Sequence, residues 1–178
     1  MIKIVLIVLG VLFIGLGGLL AYLGAFRSVT ISESEEGPFY FVYREMKGND
    51  PRMVGEITTS LDAELRSAGV AELRPFDIFQ PSEANLPNEI GFVVSESDFA
   101  RVEAERHAAL KRVIARQKYM RTTFPFRNRL SFLVGFVKVD PALKAHRSTK
   151  GYAAAPAIAR NDGDTITYLQ PIAAAAPR

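Results

Sequence analysis

Cysteine is absent from the 178 residues, and histidine occurs only twice, at His107 and His146. Without cysteine the chain has no disulfide, no thiolate nucleophile and no cysteine-ligated zinc. Neither histidine has carboxylates at ligand spacing, so the sequence predicts no metal site. Three serines near the start of the polar region lack a histidine partner for nucleophilic catalysis: Ser28, Ser32 and Ser34. These absences favour a protein that is not an enzyme and needs no cofactor.

Charge is also absent from residues 4–26, a run of 23 residues bracketed by Lys3 and Arg27. As a helix rising about 1.5 Å per residue, this run reaches roughly 34 Å, enough to cross a hydrocarbon layer of about 30 Å. The alternative is a cleaved signal peptide, but its apolar region is shorter, about 7–15 residues, and ends in a small-x-small site, for which Leu23-x-Ala25 is a poor match. We predict an uncleaved single-pass anchor over residues 1–27. Because basic residues flank both ends, the positive-inside rule favours neither orientation.

Small residues recur on one face of this predicted helix. Gly10, Gly17 and Gly24 are seven residues apart, and Ala21 lies nearby. Small residues let a second helix approach closely, which stabilises helix association in lipid. The pattern predicts packing against another membrane protein or a second copy of this chain, unless it reflects only the high frequency of glycine in membrane helices. Because Gly15-x-Gly17-Gly18 lies in the same apolar run, we do not interpret it as a phosphate-binding loop.

The net charge of +3 combines two unlike regions. Residues 30–100 hold 14 acidic and five basic side chains, whereas residues 101–129 hold nine basic and two acidic ones. This asymmetry is consistent with docking against charged partners or lipid headgroups. The alternative, which we favour, is that the two regions neutralise each other in the folded protein. No base-reading motif accompanies the basic run, so we expect no nucleic-acid partner.

The polar part of the chain begins with a predicted β-α-β-β unit. The run Phe39 to Met46 is rich in aromatic and β-branched residues and predicts a strand. Asn49-Asp50-Pro51 supplies an N-cap and a first-turn proline for a helix that ends at Gly69. Residues 76–80 and 89–95 then predict two strands.

The same order of elements is predicted a second time. A charged stretch over residues 98–109 links the units, and residues 119–124 predict the next strand. After a helix, residues 152–160 and 165–171 predict a hairpin around an Asp-Gly turn. Two β-α-β-β units in tandem predict a pseudo-twofold α+β domain with a cleft between its halves.

The helix of the second unit is predicted from a cap and an apolar pattern. Asn128 is its predicted cap, and Asp140-Pro141 is expected to restart a second, shorter helix. The predicted apolar face consists of Leu130, Leu133, Val134 and Val137.

This order of elements resembles the GyrI-like superfamily, the bacterial transcription-effector-binding and SOUL-type fold. The resemblance covers residues 39–172 and rests first on the segments that end the two units, Glu89-Ile90-Gly91-Phe92-Val93-Val94 and Asp164-Thr165-Ile166-Thr167-Tyr168-Leu169-Gln170-Pro171-Ile172. Within the superfamily the chain is most similar to the membrane-anchored branch, which includes an animal endoplasmic-reticulum autophagy receptor. The anchor and two motifs carry this closer similarity: Thr123-Phe124-Pro125-Phe126 and Val139-Asp140-Pro141-Ala142-Leu143.

The resemblance implies a binding fold whose chemistry depends on one acid. Members that sense cationic drugs, or hydrolyse cyclopropane-bearing toxins, use a buried glutamate on the final strand, two residues before an aromatic. This chain has Ile166 there, ahead of Tyr168. A desolvated carboxylate would supply cation affinity or acid–base power, so its replacement argues against both activities. The autophagy role depends on a long disordered C-terminal extension, and only six residues follow Ile172 here, so we expect that role not to transfer.

A ligand site in the cleft would consist of aromatic residues at strand spacing and one acid. The predicted residues are Tyr43, Glu89, Phe92, Phe126 and Tyr168, and their ligand would be small and apolar or aromatic. The alternative is that these aromatics, together with Tyr40, belong to the core.

The sequence thus predicts an anchor over residues 1–27, a linker over 28–38, a GyrI-like domain over 39–172 and a tail over 173–178. We expect a non-catalytic membrane protein, an accessory or structural subunit that packs against a larger integral membrane complex. A membrane-tethered small-molecule sensor is the alternative. A hydrolase of electrophilic small molecules is the third hypothesis, and it would need Glu89 as its acid.

Overall fold

A computed structural model describes residues 2–48, 50–81, 84–102, 108–128 and 130–173. Outside this range lie Asn49 of the predicted helix cap, residues 103–107 of the predicted linking stretch, including His107, and most of the predicted tail. The helices are α1 (Ile2–Tyr22), α2 (Pro51–Ser67), α3 (Glu96–Arg101) and α4 (Leu130–Lys150). The strands are β1 (Ser32–Glu36), β2 (Phe39–Met46), β3 (Arg74–Phe79), β4 (Asn88–Val94), β5 (Leu110–Ile114), β6 (Gln117–Pro125), β7 (Ala157–Asn161) and β8 (Thr165–Pro171).

All eight strands form one antiparallel sheet, which curls into a half-barrel. Their order, β1-β6-β8-β7-β3-β4-β2-β5, is symmetric about the central pair of β3 and β7. The two halves of the chain therefore have the same layout, and the predicted α+β class is confirmed. Each half also exchanges its first strand with the other, because β1 pairs with β6 and β5 pairs with β2.

The exchanged strands were missing from the predicted β-α-β-β units, so each unit is β-β-α-β-β. β1, with the sequence SESEE, lies inside the segment predicted as a linker, and β5 follows the predicted linking stretch. Both are edge strands with mostly exposed side chains, so neither shows the apolar alternation that identifies a half-buried strand. Their charges meet in the sheet, where Glu36 pairs with Arg121 at 3.6 Å and Glu89 pairs with Arg112. These pairs join the acidic and basic regions of the sequence.

Local sequence signals account for α2. The Asp50 side chain accepts a hydrogen bond from the Arg52 backbone N–H at 2.9 Å, and Pro51 occupies the first helical position, where no donor is lost. Gly69, with φ +82°, ends the helix in the left-handed conformation. The predicted start and end of this helix are therefore confirmed.

The core consists of three clusters on the two faces of the sheet. Leu61 and Leu65 of α2 pack on Phe92 and other residues of one half. Val139 and Leu143 of α4 pack on the strands of the other half of the sheet. The third cluster contains strand residues only: Phe39, Phe41, Tyr43, Phe76, Ile78, Tyr119, Ile158 and Leu169. Since this face carries no helix in the described part of the chain, the curl of the sheet itself buries it, and we call it the concave face.

Two predictions for the second helix were wrong. α4 is continuous from Leu130 to Lys150 through Pro141, whereas a new helix was expected at Asp140-Pro141. Pro141 is exposed, and the loss of one backbone donor does not end a helix that packs on the sheet both before and after it.

The predicted apolar face of α4 does not face the core. The buried residues of α4 are instead Ser131, Gly135, Val139 and Leu143. Ser131 faces the domain because it caps the start of α4: its hydroxyl oxygen accepts hydrogen bonds from the backbone N–H groups of Arg127 and Asn128. Gly135 allows α4 to pack closely on the sheet, because a Cβ at this position would lie 2.5 Å from the Tyr168 hydroxyl oxygen.

The predicted hairpin is confirmed at its turn and second strand. The Asp162 N–H donates to the Thr165 carbonyl at 2.8 Å, and Gly163 takes a φ of +82°. The first strand of the hairpin begins at Ala157, five residues later than the predicted start at Tyr152.

Candidate functional site at the junction of α1 and the domain

Helix α1 is long and apolar enough to cross a membrane, and among its residues whose burial is described none is buried. A signal sequence near an N-terminus has the same properties. On the predicted small-residue face, a Cβ at Gly10 or Gly17 would meet no described atom within 4 Å outside the local helix backbone, and Ala21 is exposed. These three positions of α1 leave space for a neighbouring helix.

Gly24, the last residue predicted on that face, lies beyond the end of α1 and packs on the domain. Its φ is +87°, and a Cβ there would lie 2.8 Å from Cγ of Pro125 and 3.2 Å from Cζ of Phe124. Leu23 beside it is only 2% exposed. Gly24 therefore allows the chain leaving α1 to turn and to approach β6 closely, and this contact is not part of a helix-packing face.

Two basic residues flank the junction between α1 and the domain, which is formed by Leu23 and Gly24. Nζ of Lys138 on α4 donates hydrogen bonds to the carbonyl oxygens of Ala25 at 2.6 Å and Arg27 at 2.8 Å. The guanidinium of Arg127 lies 5.9 Å from the centroid of the Tyr22 ring, within the range of a cation–π contact. The end of α1 is thus attached to the sheet by packing and to α4 by charged hydrogen bonds.

Four apolar side chains of α4 are exposed next to this junction. Leu130 is 52% exposed, Leu133 63%, Phe136 51% and Val137 63%. We refer to these four residues as the exposed apolar stripe of α4. Three of them belonged to the face that the sequence predicted to be apolar, and Val134, the fourth residue of that prediction, is half-buried.

The five residues predicted for a ligand site fall into three different clusters. Tyr43 lies on the concave face near Glu89, whose carboxylate is paired with Arg112. Phe92 packs under α2, on the opposite face. Phe126 and Tyr168 lie under α4.

Burial and a neighbouring charge shift the pKa of Glu89, the one acid among these five residues, in opposite directions. Burial raises the pKa of Glu89, and the neighbouring Arg112 guanidinium lowers it in part. That guanidinium also lies 5.4 Å from the centroid of the Tyr43 ring. Tyr43, Glu89 and Arg112 therefore form a compact charged group at one end of the concave face.

The middle of the concave face is occupied by the protein's own side chains. Phe41, Phe76 and Tyr119 each have 0% exposure. The rings of Phe41 and Phe76 meet edge to face at 5.2 Å, and Phe39 lies 5.0 Å from Phe76. Ile166, the residue on which the sequence resemblance led us to expect no acid chemistry, is buried under α4 together with Tyr168.

Asp77 is a buried acid that was not predicted from the sequence. It lies on β3 in register with Ile90 of β4 and Ala159 of β7, at the centre of the sheet. Its Oδ1 atom is sealed from solvent and has no hydrogen-bond partner among the described residues. Burial raises the pKa of this carboxyl to about 7, although a backbone hydrogen bond from Gly91 acts against the shift. A single acid between apolar strand residues gives no periodic signal from which it could be predicted.

No group of three histidine, cysteine, aspartate or glutamate residues that could hold a metal ion is found within the described ranges. Comparison of the chain with protein-family models and with curated proteins finds no match. The geometry of the junction and of the sheet is therefore what bears on function.

Proposed function

We propose that this chain is a single-pass membrane protein whose domain acts without catalysis, as an accessory or structural subunit packed against a larger integral membrane complex. The observation that carries the proposal is the attachment of α1 to the domain through Gly24, Phe124 and Lys138. An anchor that served only as a tether would not need a fixed junction. A fixed junction presents the helix and the domain to a partner in one relative position.

The surface of α1 supports the same proposal. Gly10 and Gly17 are open to a neighbouring helix, and Ala21 continues that face. In lipid, association of helices depends on close packing, which small residues permit. The concave face adds further support, because its middle is occupied by the protein's own side chains, Phe41, Phe76 and Tyr119.

We also propose that the domain belongs to the GyrI-like superfamily. The symmetric sheet, with β3 and β7 at its centre, supports a fold built from two similar units. An experimental structure that superposes on GyrI-like domains across both halves would support the assignment. A structure with a different strand order would overturn it.

The proposed partner is tested by purification from the native membrane in mild detergent, followed by sizing and mass spectrometry. We expect a stoichiometric integral membrane partner to accompany the full chain. Gly17→Ile should release it, because the added side chain occupies the space that a partner helix needs. Gly15→Ile is the matched control, since Gly15 lies on the other side of α1 and is equally open.

Two results would contradict this proposal. One is a lone monomer from the native membrane, with no accompanying protein. The other is equal loss of the partner with Gly15→Ile and Gly17→Ile, which would show that the glycine face is not the contact. A dimer of this chain alone would replace the proposed complex by self-association.

A ligand-sensing role has one observation in its favour, the unpartnered Oδ1 of Asp77. A buried carboxylate attracts organic cations that can enter its surroundings. For such a sensor, a hydrophobic cation such as tetraphenylphosphonium would raise the melting temperature of the full chain, and Asp77→Asn would abolish that rise. An unchanged melting temperature at saturating cation would reject the role.

A further inference from the structure

The exposed apolar stripe of α4 is a surface that folding leaves uncovered. Leu130, Leu133 and Val137 lie three and four residues apart, so they share one face of the helix, and Phe136 borders them. A patch of contiguous exposed apolar side chains marks a contact with a membrane or another macromolecule. The proposed function uses α1 and does not account for this second apolar surface.

The same face of α4 is apolar at its start and charged farther along the helix. Continuing from Val137 by three and then four residues, it carries Asp140 and Lys144, which form an ion pair at 2.8 Å. The face is therefore apolar over its first two turns and charged beyond them. A helix buried against a protein along its whole length would have no reason for this change, whereas a helix that leaves an apolar layer partway along would require it.

The apolar half of the face is the half nearest to α1. Arg127, just before α4, lies over the ring of Tyr22 at the end of α1. Lys138, next to Val137, is hydrogen-bonded to the carbonyl oxygens of Ala25 and Arg27. Both ends of the stripe are thus fixed to the few residues where the chain leaves α1.

The side chains around the stripe suit the boundary between lipid and water. Tyr22 is 60% exposed and Phe26 72%, and aromatic residues are enriched at the headgroup level. Arg27 and Arg127 are exposed beside them, where they can meet lipid phosphates.

We propose that the exposed apolar stripe of α4 is embedded in the lipid interface beside α1, so that the domain lies on the bilayer surface. This inference rests on the proposed function, because it places α1 in the same bilayer. An interfacial helix typically sinks its apolar face about 5–10 Å into the headgroup and acyl boundary. The lipid contact holds the domain against the membrane and fixes which of its faces a membrane partner meets.

The absence of cysteine makes a direct test possible, because each introduced cysteine is the only labelling site. The full chain carrying Leu133→Cys is labelled with an environment-sensitive fluorophore and reconstituted into vesicles of phosphatidylcholine with a minority of phosphatidylglycerol. Quenching by lipids with a nitroxide near the headgroup is compared with quenching by iodide in water. The matched control is Lys144→Cys, on the same face but in its charged half. Phe13→Cys, in the middle of α1, reports on the anchor itself and is tested with lipids whose nitroxide lies deep in the acyl chain.

The expected result is that the Leu133→Cys label is quenched several-fold more by the lipid nitroxide than the Lys144→Cys label, and that iodide shows the reverse order. A Leu133→Cys label quenched by iodide alone would overturn the inference. A label shielded from both quenchers would also overturn it, because a second copy of the chain would then cover the stripe. In both of these cases, quenching of the Phe13→Cys label by lipid would leave the anchor intact, whereas its absence would remove the proposed function as well.

Discussion

Nζ of Lys138 donates a hydrogen bond to the carbonyl oxygen of Ala25 across 113 residues of sequence. The carbonyl groups after the last turn of a helix have no partner within it, and a cation there also interacts favourably with the helix dipole. Lys138 satisfies two such groups, the second belonging to Arg27. This side chain therefore links the end of the apolar helix to α4, in the second half of the domain.

Lys138→Met is expected to loosen the attachment of α1. With spin labels on introduced cysteines at Ile14 and Thr59, both exposed, the full chain in lipid nanodiscs should give a narrow distance distribution. Lys138→Met should broaden it, because the junction would then be held by the packing of Leu23 and Gly24 and by the contact of Arg127 with Tyr22, without the two hydrogen bonds. Lys144→Met is the control, since the ion pair of Lys144, with Asp140, lies within α4. Equal widths in all three proteins would mean that the hydrogen bonds do not restrain the helix.

Gly135→Ala is expected to destabilise the domain by about 1–3 kcal/mol, because the new methyl group overpacks α4 against the sheet. Its Cβ would lie 2.5 Å from the Tyr168 hydroxyl oxygen and 3.1 Å from Cδ1 of Phe124. The matched substitution Gly55→Ala in α2 meets no atom within 4 Å and should stabilise the domain by up to about 1 kcal/mol through helix propensity. Urea denaturation of the two variants checks both signs, and a neutral Gly135→Ala would show that α4 can move away from the sheet.

Asp77→Asn should change the pH dependence of stability. The pKa of Asp77 is about 7 in the folded protein, against about 3.9 for an unfolded aspartate. Between these values the folded state binds more protons, so this group makes the free energy of unfolding fall as pH rises. Asparagine does not titrate, so in the variant this decrease of stability with pH is absent. The melting temperature of the variant minus that of the native protein should therefore increase from about pH 4 to about pH 7. A difference that stays constant across this range would contradict the assignment.

Arg112→Leu is expected to cost about 1–3 kcal/mol, because it leaves the Glu89 carboxylate without its charged partner. Glu89 is 7% exposed, and burial already raises its pKa, so without Arg112 the carboxylate is less favourable in the folded state. The loss should therefore be larger at neutral pH than in acid. The double variant Glu89→Gln, Arg112→Leu should recover part of it, as measured by a double-mutant cycle. A double variant no more stable than Arg112→Leu alone would show that the pair does not account for the cost.

Elements with a complete local signal could be predicted from the sequence. The strand over Phe39–Met46 alternates between the two faces, and both of its faces are covered, so aromatic and β-branched residues fill it. The helix α2 has its cap, its first-turn proline and its terminal glycine in sequence order. The strand over Thr165–Pro171 follows an Asp-Gly turn that fixes its register.

Elements defined by distant contacts could not be predicted in this way. β1 is a strand because β6 pairs with it, and no apolar pattern in SESEE indicates this. The buried side of α4 is set by the close approach of Gly135 to Tyr168, so the sequence face richest in leucine and valine was assigned to the core although it is exposed.

The same distinction applies to the candidate site. The apolar character of α1 is explicit in the sequence, and Gly10 and Gly17 are open on its surface. The role of Gly24 depends on Pro125, a hundred residues later, and was assigned to helix packing because its spacing fitted. Asp77 was missed because its environment is created by strands from both halves of the chain.

The exchange of β1 and β5 has a consequence for biogenesis. During synthesis the acidic strand β1 leaves the ribosome long before its partner β6, and one edge of β2 stays open until β5 arrives. Neither half can complete its sheet alone, so the nascent first half holds β1 without its partner and leaves one edge of β2 and one edge of β3 unpaired. Charged strands resist pairing with other chains. The glutamates of β1 therefore keep this strand from pairing with other chains until the second half is made.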